Sequence, residues 1–338
     1  MRYLMEVCLR RQWGVLAFLV LLALSSVARA EREALDASLV VGPTACGKCH
    51  KAIAARWNTS HHAEGLYSLP QSKDARTIAS KLGIKNFLTD ARCAPCHVTI
   101  NSDRAQAEPI AGVSCESCHG AGFRWNTFHG EYSGKKPETE TEEERIRRWK
   151  RSEKDGMIRP LRVYEWAKNC FSCHVVANED LVDQGGHTPG NENYELLAWS
   201  LGEVRHNITE PPGTENRMPD QARQRLVFVI GVVADLEHSL RAVALATRKS
   251  PYAAAMAKRV QTAREKMNAI DTALSLPETA NVVKAIANVK LRLNNRDELV
   301  AAAELVSSAG TQIAQTYTGE TFAPIDSLLP GAAAYRGK

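Results

Sequence analysis

Once the first thirty residues are set aside, this sequence has no cysteine outside one repeated pattern and none after Cys173. No thiol is left over for a separate disulfide. Charge of one sign is also lacking. Forty-three Lys and Arg stand against 38 Asp and Glu, interspersed along the chain, for a net +5. That balance gives no basis for predicting nucleic-acid binding, and no nucleic-acid partner is expected. Long hydrophobic runs are missing apart from GVLAFLVLLAL at 14–24, which is short for a bilayer span. It follows Arg10 and Arg11 and precedes ARA at 28–30, so residues 1–30 read as a secretory signal peptide cleaved near Ala30. Removing that segment brings the net charge near +2 and puts the mature chain in an oxidising compartment. Runs of period two are missing as well, so strands are expected to be few.

What remains is a 338-residue chain, 44% hydrophobic and 24% charged, a soluble globular composition of about two domains. The cysteine-bearing domain is read as 31–212. A charged segment at 133–151 reads as a loop running into a short helix, with Thr141 and Glu144 spaced as a capping box. The linker EPPGTENRMPD (210–220) marks a change in composition. Beyond it Leu226, Val229, Ile230, Val233, Leu236, Leu240 and Val243 recur at helical spacing. Ser250 and Pro251 suit a helix start, SLPE at 275–278 a capping box, and Gly310 a helix end. Three or four helices, 213–320, are therefore expected as a C-terminal bundle, with 321–338 as a tail. The fold class is mainly α, a cysteine-bearing core with few strands followed by this bundle.

The repeated pattern carries the chemistry. It occurs as CGKCH (46–50), CAPCH (93–97), CESCH (115–119) and CFSCH (170–174). Cys-x-x-Cys-His is the attachment signature of c-type haem. Two thiols three residues apart on a helical turn reach the vinyl carbons of one porphyrin, and the adjacent histidine falls under the iron. Zinc knuckles and thioredoxin-like pairs share the Cys-x-x-Cys spacing. Neither explains a histidine after every pair, so no zinc is expected. The candidate attachment residues are Cys46 and Cys49, Cys93 and Cys96, Cys115 and Cys118, and Cys170 and Cys173. His50, His97, His119 and His174 are the proximal ligands. Four covalently attached haem c groups within 46–174 leave too little polypeptide to wall each from the next, so the porphyrins are expected to form much of that core and lie close together.

Six histidines remain for the far side of the irons: His61, His62, His129, His187, His206 and His238. Met157 and Met218 are less suited, since the free histidines suffice. His61 and His62 lie eleven and twelve residues beyond His50. If the stretch from His50 to His62 is helical it spans about 18 Å, whereas two axial nitrogens of one metal are about 4 Å apart. A ligand from this pair must therefore cross to another haem.

Residues 43–210 resemble the tetrahaem cytochrome c-554 family. The likeness rests on CGKCHKAIAARWNTSHHAEG, where His62 and Ala63 begin five positions after Trp57. It also rests on GVSCESCHGAGFRWNTFHG, where His129 comes ten residues after His119. The resemblance implies that His62 is the sixth ligand of the haem on Cys170/Cys173, and His129 of the haem on Cys46/Cys49. It implies a histidine downstream of the fourth motif for the haem on Cys115/Cys118, and His206 is the choice. In the family the second haem is five-coordinate; here His187, in QGGHTPG, is a candidate cap for the iron on Cys93/Cys96, and both readings stand. His238 reads as a bundle contact or a solvent-facing residue, and His61 as a polar neighbour or propionate partner. Trp57 and Trp125 are expected on porphyrin faces, and Arg124 and Arg205 beside propionates.

Together these readings predict a periplasmic tetrahaem c-type cytochrome. It would pass electrons between donor and acceptor proteins, among them a membrane quinone-linked cytochrome. The alternative is an oxidoreductase for a small nitrogen-oxide species at an open second haem. The motif of cytochrome nitrite reductases, with lysine in place of the motif histidine, is absent. A third class is an assembly subunit docking a partner through its bundle.

Overall fold

The computed structural model describes residues 34–104, 106–191, 193–206 and 215–336. The signal segment 1–30 and part of the 210–220 linker lie outside these. Pro43 opens α1 (Pro43–Gly47), and α2 (Lys51–Trp57) follows the first motif. The Ser60 hydroxyl accepts from the Ala63 N–H and starts α3 (His61–Gln71); Ser72 does the same through Ala75 for α4 (Lys73–Lys81). The second motif forms α5 (Ala94–His97). It leads into an antiparallel hairpin of β1 (Thr99–Arg104) and β2 (Gln106–Ala111), the only sheet among the described residues. Register shifts within the hairpin break its alternation, which is why period two was not visible in the sequence.

The third motif is α6 (Cys115–His119). Thr141 and Glu144 form their capping box at the start of α7 (Glu142–Lys154). The fourth motif ends α8 (Val163–His174), followed by α9 (Glu179–Asp183) and α10 (Leu196–Ser200). The C-terminal helices are α11 (Gln221–Ala244), α12 (Pro251–Leu274), α13 (Pro277–Ala287) and α14 (Arg296–Thr316). The fold is mainly α, as the sequence predicts.

The stripe seen in the sequence understates α11. Val227, Phe228, Val232 and Ala234 are buried beside the stripe residues, because α8, α10, α12 and α14 surround this helix. One apolar cluster runs from Val163 to Ile325, so the helix bearing the fourth motif shares its core with the C-terminal helices. Residues 321–336, read as a tail, are packed: Phe322 and Ile325 are fully buried, and the Glu203 N–H donates to the Arg336 carbonyl. Among the described residues no helix is long and apolar enough to cross a membrane.

Two local expectations fail for identifiable reasons. Ser275 does not cap α13: it is left-handed, φ +51°, and ends α12, while the Thr279 hydroxyl accepts the Leu276 N–H instead. Gly310 does not end a helix. It sits buried inside α14, where an added Cβ would overlap the Tyr164 ring of α8. Tyr164 is held in place because its hydroxyl donates to Glu237 at 2.7 Å. Gly310→Ala is therefore expected to destabilise the protein by about 1–3 kcal/mol through overpacking. The measurement is the guanidinium midpoint, and an unchanged midpoint would mean that the ring moves aside freely.

Candidate functional site

Each motif lies on a helical turn. His97, His119 and His174 are the last residues of their helices, and His50 directly precedes α2. Residues three apart on a turn share a face, so each pair of thiols can address one partner. Among the described residues no disulfide joins any of the eight motif cysteines. The Cys46 and Cys115 thiols hydrogen bond each other, which pushes Cys115 up, so the first and third motifs are neighbours.

Every motif histidine stands opposite one other histidine from elsewhere in the chain. The ring centroids of His50 and His129 are 6.0 Å apart, those of His62 and His174 6.3 Å, those of His97 and His187 6.2 Å, and those of His119 and His206 6.2 Å. Two imidazoles sharing one metal, with metal–nitrogen bonds of about 2 Å, have centroids about 6.3 Å apart. The residues thus fit a group that places one metal between each pair.

The donor chemistry agrees. His119 Nδ1 faces the Ile158 carbonyl at 2.9 Å, His187 Nδ1 that of Thr188 at 2.6 Å, and His206 Nδ1 that of Val204 at 2.6 Å. An Nδ1–H donated to a carbonyl fixes the tautomer and leaves Nε2 for a metal. Burial drives His97 down to about 4 and His174 to about 3, and lowers His62, His119, His129 and His206. The rings of His97 and His174 are therefore neutral at pH 7, the form that binds metal.

The profile of the family "Cytochrome c554 and c-prime" matches residues 45–120. Cytochrome c-554 of Nitrosomonas europaea is 29% identical over 168 residues, 46% of this chain and 66% of the relative. The motif-bearing region is similar to the cytochrome c-554 family. That likeness is to a c-type cytochrome and supports covalent haem c as the group these motifs hold. The match spans a little under two thirds of the Nitrosomonas protein's length. No solved structure matches.

Around this region the other singled-out residues fall as follows. His61 is exposed and its Nδ1 meets Glu203 Oε2 at 2.7 Å, which raises its pKa. His238 is a buried bundle residue, with Nδ1 on the Ala234 carbonyl and its ring 6.1 Å from Phe171. Trp57 Nε1 donates to the Val113 carbonyl, and Trp125 is buried with its ring edge-on to His129 at 5.3 Å. Arg205 meets the Met218 sulfur. His187 reaches His97 through the Gly185–Gly186 turn, in which Gly186 takes φ +84°, a conformation that favours glycine.

Several residues escaped the sequence reading. Tyr194 stacks on His174 with centroids 3.9 Å apart and planes within 8°, and Trp199 closes the same side. Arg148 holds Glu140 through two hydrogen bonds and donates to the His129 carbonyl, fixing that histidine's turn against α7. Glu116, inside the third motif, is fully buried and accepts the N–H groups of Val41, Gly42 and Gly122. A glutamate between two cysteines carried no signal of burial, because position x in Cys-x-x-Cys-His is variable in chemistry.

Proposed function

We propose that the chain is an exported tetrahaem c-type cytochrome that transfers electrons between a donor and an acceptor protein, among them a membrane quinone-linked cytochrome. The observation that carries this reading is the set of four histidine pairs, each with centroids 6.0–6.3 Å apart. Haem c, when bound, supplies a one-electron iron couple whose potential follows axial ligands and burial. The protein's own part is to hold and orient. The paired cysteines fix each macrocycle. His50 with His129, His97 with His187, His119 with His206 and His174 with His62 present the ligand nitrogens. Backbone carbonyls lock the tautomers of three of them, and burial keeps the rings of His97 and His174 neutral. Held between such pairs, each group would be fixed in position, with little room for chemistry on small molecules. The reading as a nitrogen-oxide oxidoreductase needs an open second haem, and the position of His187 opposite His97 weighs against it.

Purified holoprotein is expected to hold four haems per chain by pyridine haemochrome and intact mass, all low-spin by EPR, with no binding of carbon monoxide. Fewer than four covalent haems would overturn the tetrahaem reading. A high-spin iron that binds carbon monoxide would favour the oxidoreductase.

A further inference from the structure

We infer that the buried Arg259–Asp235 pair of the C-terminal helices sets the reduction potential of the haem on Cys170/Cys173. This rests on the haem ligation proposed above. Arg259, on α12, is 9% exposed. Its Nε donates to Asp235 of α11 at 2.5 Å, and its Nη1 donates to the carbonyl of His174 at 3.2 Å and of Asn191 at 3.3 Å. Its Nη2 is buried with no partner among the described residues. The guanidinium carbon stands 5.8 Å from the ring of Phe171, inside the fourth motif.

Burying a guanidinium with an unpaired N–H is unfavourable, so its position calls for a reason beyond packing. Here the cation donates to the backbone of a motif histidine, and its counter-ion, Asp235, belongs to α11. A positive charge beside the proximal ligand favours the iron state with one electron more, and in a protein interior such a charge acts at longer range than in water. Asp235 opposes it. The other charged groups on the same cavity, of about 620 Å³, are Glu195, Lys258 and Lys266. Glu195 is occupied in accepting the N–H groups of Leu197 and Ala198. No such bond from the C-terminal helices reaches His50, His97 or His119 among the described hydrogen bonds. The fourth motif is therefore the one these helices tune, which assigns a task to the part of the chain outside the family match.

The test is a potentiometric titration of the holoprotein followed by EPR, with Arg259→Gln, Arg259→Lys and Asp235→Asn. The component to follow is the low-spin signal lost in Cys170→Ala/Cys173→Ala. Arg259→Gln is expected to move that midpoint to more negative potential, by on the order of tenfold in the reduction equilibrium, ~59 mV for one electron. Asp235→Asn moves it to more positive potential, Arg259→Lys restores most of the unmodified value, and the other three midpoints stay. A purely structural pair would shift both variants the same way or not at all, and either outcome overturns the inference. Absence of covalent haem in the unmodified protein overturns the ligation reading instead.

Discussion

His62→Ala is expected to convert the haem on Cys170/Cys173 from low-spin to high-spin while the haem on Cys46/Cys49, nearer in sequence, stays unchanged. The His62 ring stands 6.3 Å from that of His174, over a hundred residues away, and no ring contact joins it to His50 among the described residues. Removing it opens one side of one iron, and a weaker axial field gives a high-spin centre. The measurement is EPR with optical spectroscopy: one of the low-spin signals disappears and a high-spin signal of equal population replaces it. His61→Ala is the control. Its side chain is exposed and turned to Glu203, so all four signals are expected to persist. Loss of the signal from the haem on Cys46/Cys49 in His62→Ala, with that on Cys170/Cys173 intact, would sink the pairing.

Glu116→Ala is expected to cost about 3–5 kcal/mol of stability, because it strands several buried donors at once. The carboxylate accepts Val41 N–H at 2.9 Å, Gly42 N–H at 2.8 Å and Gly122 N–H at 2.6 Å. It thereby ties the segment entering the first motif to the loop leaving the third, where the Cys46 and Cys115 thiols also meet. Glu116→Gln is expected to be harmful as well, since its amide nitrogen cannot accept. Guanidinium unfolding of the holoprotein reads the change. A loss below about 1 kcal/mol would mean that water takes over the three N–H groups.

How much of this was legible in the sequence depends on the range of each interaction. The helical class was legible, because a stripe such as Leu226 to Val243 repeats every three or four residues wherever a helix is buried on one side. The complete burial of α11 was not, since neighbours on its other faces come from distant segments. Gly310 shows the same limit: as a local signal it marks a helix end, and only the approach of the Tyr164 ring explains a glycine inside α14. The hairpin at 99–111 was hidden by its own irregular register.

For the site, the sequence by itself determined the local chemistry. Two thiols and a histidine on one helical turn depend on nothing but their spacing. It also pointed to a ligand near His50 serving another centre, on the premise of one helix from His50 to His62; that helix breaks at Ser60, and the position of His62 opposite His174 is what supports the crossing. What only the tertiary structure decided is which rings face one another, and which buried groups hold them. His187 opposite His97, Tyr194 on His174, the Glu116 clamp and the guanidinium of Arg259 all join residues far apart in the chain. Their energies come from burial and from hydrogen bonds completed across the fold, and no local pattern encodes those.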